Sequence, residues 1–176
     1  EAEGTIKVNG ADLAPTPEVA PEKVISLFSD IYDNVTTANW NPRWEYSTTE
    51  YAEINANGNK IAHYTNLNFV GIVFDSSINC SQMNTLHLDV MTLNEILPDS
   101  EFKIEVHNMP AGEASSSISY SLTPSTHEDL QKGVWTSVDI PLTSLNKKED
   151  IAQLVLSSVN MPDVYICLLY TSDAAD

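Results

Sequence analysis

Basic residues are scarce in this chain, and cysteines, glycines and long apolar runs are scarce too. Its 176 residues include 8 Lys and Arg against 25 Asp and Glu, a formal charge of −17. Nucleic acids and anionic membranes both need a basic footprint, so neither is an expected partner. No segment approaches the ~18 consecutive apolar residues of a membrane span, so no membrane insertion is expected. Two cysteines, Cys80 and Cys167, cannot build a disulfide scaffold, and no Cys/His spacing resembles a zinc site. Cys80 reads most simply as a small buried apolar residue. The N-terminus shows no basic segment followed by an apolar one, so no signal peptide is read there.

The motifs of catalysis are missing as well. There is no G-x-S-x-G, no H-E-x-x-H, no phosphate-binding glycine loop and no G-x-G-x-x-G. His127-Glu128-Asp129 lacks a second histidine. His63, His87 and His107 fall in strand-like runs, where a packed or half-exposed histidine is ordinary. Glu45, Glu50 and Glu53 are close in sequence, but strand alternation sends odd and even positions to opposite faces. A retaining glycosidase needs two carboxylates about 5–5.5 Å apart. Glu45 and Glu53 share a face but stand too far apart along one strand. The chain is therefore not expected to be an enzyme.

What is present is a series of short strands. Apolar residues make up 42% of the chain, enough for one ordinary core. Val24–Phe28 is a short apolar run. Tyr51–Ile54 and Lys60–Tyr64 flank the polar Asn/Gly segment 55–59, which predicts a hairpin. Segments 66–69 and 71–74 read as two further strands. Thr85–Thr92 alternates, with Leu86, Leu88 and Val90 on one face. Phe102, Ile104 and Val106 alternate likewise, as do Ile118, Tyr120 and Leu122. The segments 134–140 and 151–159 complete the series, and 142–150 holds at most one short helical turn. In the first of these, Trp135 shares a face with Ser137 and Asp139 and reads as a packing or rim residue. Many short strands without long helices predict an all-β protein, a β-sandwich with buried inner faces and wet outer faces.

The most informative string is Asn39-Trp-Asn-Pro-Arg-Trp-Glu-Tyr46. Its proline and asparagines predict a loop. Two tryptophans on a loop either cap the core or stand exposed. An exposed indole offers a rigid apolar face at little entropic cost, and the axial C–H face of a pyranose ring fits such a platform. Asn39, Asn41, Arg43 and Asn66 are polar groups suited to sugar hydroxyls. Asp30, ending the first strand, is either a turn-capping residue or a candidate oxygen ligand for calcium.

Several strings together resemble a known family. They are Val24–Tyr32, Trp40-Asn-Pro-Arg-Trp44, Ile61–Gly71, Leu86–Val90 and Trp135–Leu142. They are similar to the non-catalytic jelly-roll modules of the galactose-binding-like type, which are appended to secreted bacterial glycoside hydrolases and surface glycan-binding proteins. The resemblance covers 24–166. It implies a β-sandwich jelly-roll that binds polysaccharide, a β-glucan such as laminarin. It further implies catalytic or surface-anchoring domains in the same full-length chain and a secreted or cell-surface location. The glycan-binding candidates are Trp40, Trp44, Arg43, Tyr46, Asn66 and Phe69. Asp30 matches the first-strand acid that helps hold a structural calcium ion in related jelly-rolls, with a partner acid in the last strand. This chain departs from the family at Phe69-Val70, where a Tyr-Gln pair is expected, and at Glu45-Tyr46, where Gly-Gln is common. The alternative reading is a structural or protein-interaction sandwich that spaces other domains without binding sugar.

Both ends are expected to lie outside this domain. Residues 1–23, with three prolines between 11 and 23, read as a linker or the tail of a preceding domain. Residues 167–176 resemble the conceptual translation of a sequencing adapter. On that reading the last strand, opening Val164-Tyr165-Ile166, is truncated there and the chain is a fragment of a longer one.

Overall fold

The computed structural model describes residues 7–8, 11–12, 24–28, 38–56 and 59–172. Thirteen strands fall among them: β1 Lys7–Val8, β2 Ala11–Asp12, β3 Val24–Phe28, β4 Ala38–Asn39, β5 Glu50–Ala56, β6 Asn59–Thr65, β7 Phe69–Ile78, β8 Thr85–Thr92, β9 Glu101–Asn108, β10 Ser117–Leu122, β11 Thr136–Pro141, β12 Ile151–Val159 and β13 Val164–Ser172. A single 3-10 turn, Lys148–Asp150, lies in the segment where one helical turn is expected. Of the expected linker, β1 and β2 pair with each other as a two-rung antiparallel ladder.

Two antiparallel sheets face each other. One runs β10-β9-β12-β7-β4, the other β11-β8-β13-β6-β5, with β3 also paired to β13. This is the expected jelly-roll sandwich. Its core takes Leu86, Leu88, Val90, Val138, Ile140 and Tyr64 from the six-stranded sheet. Phe102, Ile104, Val106, Leu154, Leu156, Val70, Ile72 and Phe74 come from the other. The alternation read from the sequence is thus the alternation that fills the core.

Three expectations are corrected. The segments 66–69 and 71–74 are not two strands; Phe69–Ile78 is one, and Gly71 lies inside it. The strand opening at Val164 does not stop at Ile166 but runs on through Ser172, so 167–172 belong to the sheet. Residues 164–166 pair with β6, and the later residues pair with β3, from Leu169↔Phe28 to Ser172↔Val24. The apolar string Cys-Leu-Leu-Tyr can serve both faces because the register against β8 shifts between Cys167 and Tyr170. Leu168 adopts φ 53° there. Leu169 then enters the main core, while Leu168 and Tyr170 face the other side.

That other side gives the third correction, because it is not wet. Ile61, Met91, Tyr165, Cys167, Leu168 and Tyr170 are buried on it, with Trp135, Leu93 and Ile54 packed alongside. A strand apolar at every position, as β13 nearly is, has two faces to bury.

A charged knot interrupts this second apolar face. His87 stacks on Tyr170 with ring centroids 4.8 Å apart. Its Nδ1 lies 2.8 Å from Asp139 Oδ1 and its Nε2 3.2 Å from Asp89 Oδ2. Ser137 donates its hydroxyl to the other oxygen of Asp89. Burial by itself lowers the His87 pKa. The hydrogen bonds to Asp139 and Asp89, with the charges of both carboxylates, outweigh burial and push it up to about 9. A histidine with a raised folded pKa contributes stability that is complete below its unfolded pKa and disappears as pH rises through the folded value. The window here runs from about pH 6.5 to about pH 9. We predict that His87→Gln is less stable than the parent by about 2 kcal/mol at pH 6, after discounting the exposed Asp139 for solvent screening. The gap should largely close by pH 10. Urea melts of both proteins across this range test it, and a gap independent of pH contradicts the clamp.

Candidate functional site

The segment between β4 and β5 joins the outermost strand of one sheet to the outermost strand of the other. Its backbone bonds mostly to side chains. Asn39 Oδ1 accepts from the Asn41 amide at 3.1 Å, and Asn41 Oδ1 accepts from the Arg43 amide at 3.2 Å. Two successive Asx turns around Pro42 are what this Asn/Pro string favours. Asn41 Nδ2 donates to the Thr49 carbonyl at 2.8 Å. A β-turn follows, closed from the Ser47 amide to the Trp44 carbonyl at 3.0 Å. The expected loop is therefore present, and it is braced throughout.

This loop separates the two tryptophans. Trp40 turns toward the core. Its ring meets Phe28 edge-on at 5.0 Å and stacks on Tyr51 at 6.3 Å, and its carbonyl accepts from the Tyr64 hydroxyl at 2.8 Å. It caps one edge of the sandwich while staying partly exposed. Burial, with a smaller effect from the charge of Glu53, pushes the Tyr51 pKa up to about 12, so its phenol stays a neutral donor. Arg43 stands near Trp40 with a two-pronged bond to Glu50, at 3.2 Å and 2.8 Å. That bond raises the Arg43 pKa and lowers that of Glu50.

Trp44 turns the other way. A Cβ at Gly71 would lie 2.3 Å from its Cη2 and Cζ2, so the indole rests on bare backbone of β7. Val70, Ile72 and Phe74 enter the core, so Phe69, Gly71 and Val73 face outward by alternation. Register carries this outer face across the sheet. Gly71 pairs with Val155, which pairs with Glu105 and then Ser119. Val73 leads to Gln153, His107 and Ser117, and Phe69 leads to Ser157, Lys103 and Ser121. At ~4.8 Å between strands this strip is about 15 Å wide. Beside Phe69, Val73 and Val155, the residues opposed across it are hydroxyls, an amide, an imidazole and charges of both signs. Gly71 apart, none of them is buried. His107 Nε2 has no hydrogen-bond partner among the described residues, its closest carboxylate oxygen, on Glu105, being 3.5 Å away.

The sequence candidates thus divide. Trp44 and Phe69 share the outer strip. Trp40 and Arg43 line an open cleft at the sandwich edge. Tyr46 stands 82% exposed in the turn after Trp44, with φ 69°. Asn66 is exposed at φ 51°, and its carbonyl accepts from Thr48 Oγ1 at 2.9 Å. Asp30 lies outside the described residues, and among the described ones no cluster of three His, Cys, Asp or Glu side chains could hold a metal ion. Sequence reading missed Lys103, Glu105, His107, Gln153 and the three serines of β10. Alternation already placed 103, 105 and 107 opposite the core residues of β9, but which strands lie side by side is not written in any one strand.

No protein-family model matches the chain, and no curated protein matches it. Solved structures do. The family 30 carbohydrate-binding module of the cellulosomal cellulase Cel9D-Cel44B of Clostridium thermocellum superposes with a TM-score of 0.57 at 14% identity, over 87% of this chain and 99% of that one. The family 11 module of the cellulosomal cellulase Lic26A-Cel5E of the same organism gives 0.57 at 13% identity, over 86% and 95%. A family 11 module from that organism in complex with a β-1,3-1,4-mixed-linked tetrasaccharide gives 0.52 at 10% identity, over 85% and 94%. The chain has the fold of these carbohydrate-binding modules.

Two predictions concern the loop. Gly71→Ala must displace the indole or the strand, so it should cost about 1–3 kcal/mol. It should also red-shift tryptophan emission as Trp44 lifts into water; an unchanged melt and spectrum would mean the ring does not rest there. Tyr46 sits third in its turn, the position where φ > 0 favours glycine. Tyr46→Gly should therefore raise stability by about 0.5 kcal/mol, the released strain of about 1 kcal/mol being partly offset by glycine's larger unfolded-state entropy. Thermal melts check this, and a clear loss of stability would assign the ring a packing role.

Proposed function

We propose that the chain is a non-catalytic polysaccharide-binding module with a β-glucan as its ligand, acting outside the cell or at its surface. It keeps a catalytic or anchoring domain of the same full-length protein close to that glycan. The observation that carries this reading is the Trp44 indole laid across Gly71, partly open, at the head of an uncovered strip of hydroxyl, amide and charged side chains. A sugar ring presents a flat apolar face and a rim of hydroxyls, and the strip offers the matching pair of surfaces. Trp44 and Phe69 would carry the apolar face, and Gln153, His107, Lys103, Glu105 and the serines of β10 the rim. Likeness of fold to a module solved in complex with a β-1,3-1,4-mixed-linked tetrasaccharide supports the choice of ligand.

The same strip supports the non-catalytic part of this reading. Glu105 has Val155 and Ser119 as cross-strand neighbours and Lys103 and His107 along its own strand. Hydrolysis of a glycosidic bond needs a second carboxylate across from the first. A spacer role without sugar binding leaves unexplained why one outer face is sealed by apolar residues and the other left open and polar.

Affinity electrophoresis of the full chain in gels containing mixed-linkage β-glucan, laminarin or xylan tests the proposal. Trp44→Ala should reduce retardation at least tenfold, the loss expected for an aromatic anchor, with the melting transition retained. Absence of retardation by every glycan would count against the reading.

A further inference from the structure

The edge cleft is a site of its own. It has a volume of about 470 Å³ and is lined by Asn39, Trp40, Asn41, Arg43, Tyr51 and Asp75. Ligand pockets commonly run about 300–1,000 Å³, mostly apolar or aromatic with a few placed polar groups. Here two stacked rings, Trp40 and Tyr51, supply the apolar wall. Amides and charges of both signs supply the rim. The cleft opens where the outermost strands of the two sheets, β4 and β5, part. Because β4 is two residues long, the opening extends past it to Asp75 on β7.

We propose that this cleft is a second carbohydrate-binding site, distinct from the Trp44 strip and taking a short stretch of a neutral glycan. The proposal rests on the polysaccharide reading and adds a second contact to it. Neutrality follows from the charges. Arg43 already spends two of its N–H groups on Glu50, so it is not an unpaired cation awaiting an anion. The chain's net charge of −17 also repels a polyanion. A guanidinium held by a carboxylate keeps further donors for hydroxyl oxygens. Asn39 is exposed, its Oδ1 occupied by the Asn41 amide and its Nδ2 without a partner among the described residues. Separation follows from the fold: Trp40 is packed on the core side of the loop, against Phe28 and Tyr51, and Trp44 lies on the outer face of β7. Two weak sites on one small module engage one long chain with a raised effective concentration.

The chain has three tryptophans, so an amide-labelled sample gives three indole N–H signals, assignable by Trp→Phe replacement. The probe is a mixed-linkage β-glucan tetrasaccharide titrated into the full chain. Trp40 and Trp44 signals should both move, and that of Trp135, packed on the sealed face, should not. Trp40→Ala removes part of the core cap, so the cleft is tested instead with Asn39→Asp/Arg43→Gly, in which aspartate keeps the side-chain acceptor for the Asn41 amide and glycine keeps the left-handed backbone of position 43. That variant should weaken the Trp40 titration at least tenfold and change the Trp44 midpoint less than twofold. Trp44→Ala should leave the Trp40 signal still responsive. A Trp40 signal that stays still while Trp44 responds overturns the second site and leaves the proposed function standing. Both signals moving on one curve, and both lost in Trp44→Ala, overturns it in favour of one continuous site. Neither signal moving with any glucan removes the proposed function as well.

Discussion

One side-chain amide holds the loop between β4 and β5 to the sheet. Asn68 Oδ1 accepts from the Thr48 amide at 2.9 Å, the Thr49 hydroxyl at 3.3 Å and the Phe69 amide at 2.8 Å, and its Nδ2 donates to the Tyr46 carbonyl at 2.9 Å. Ser47 and Thr49 add hydroxyl bonds to the Phe69 carbonyl at 2.7 and 2.9 Å. The loop leaves the edge of one sheet and must reach the edge of the other, so its amides have no ladder to join. Backbone groups without partners are costly when water is excluded. Short polar side chains supply the partners here, which is why the segment is rich in Asn, Ser and Thr. Both tryptophans take their places from that bracing, and so do the strip and the cleft.

The two sheets use their outer faces in opposite ways. Across the six-stranded sheet, Met91, Tyr165 and Ile61 are buried, and even its ion-paired residues are drawn in: the Asp89 side chain is 2% exposed. A carboxylate so enclosed is tolerable only because His87 and Ser137 satisfy it. Across the five-stranded sheet, Lys103, Glu105, Gln153 and Ser157 remain partly open. Burying that row would strip water from charges without giving each a partner. Burial of one face and hydration of the other therefore follow from residue type. The hydrated face is the one that the proposed ligand would meet.

Most strands were legible because their inner residues alternate: β8 and β12 match their predicted spans, and the hairpin of β5 and β6 closes over its Asn/Gly segment. Reading failed where one residue had two meanings. Gly71 looks like a break between strands, since glycine weakens a strand interior. Its reason for being there is a ring from twenty-seven positions earlier, and nothing local signals such an approach. The string Cys167–Tyr170 reads as foreign to the domain, yet four apolar residues in sequence are what a doubly buried strand accepts, given a local shift of register. For the site, the aromatic candidates were visible as a cluster. Their division between two surfaces was not, because spacing along a loop does not say which way each turn sends a side chain.

The left-handed residues show how the loop came to be this shape. Among the described residues, six other than glycine have positive φ, and three of them, Arg43, Tyr46 and Asn66, are candidates for sugar contact. Asparagine accepts this backbone readily, but arginine and tyrosine do so at a cost of order 1 kcal/mol or more each. Glycine would remove the cost at either position and would also remove the guanidinium from the cleft and the exposed phenol from the turn. A strained backbone persists when its surroundings over-determine it, and here the two Asx turns, the Trp44–Ser47 turn and Asn68 do so. Strain held in place around exposed polar and aromatic groups, rather than around core residues, is what the proposed binding surface would require.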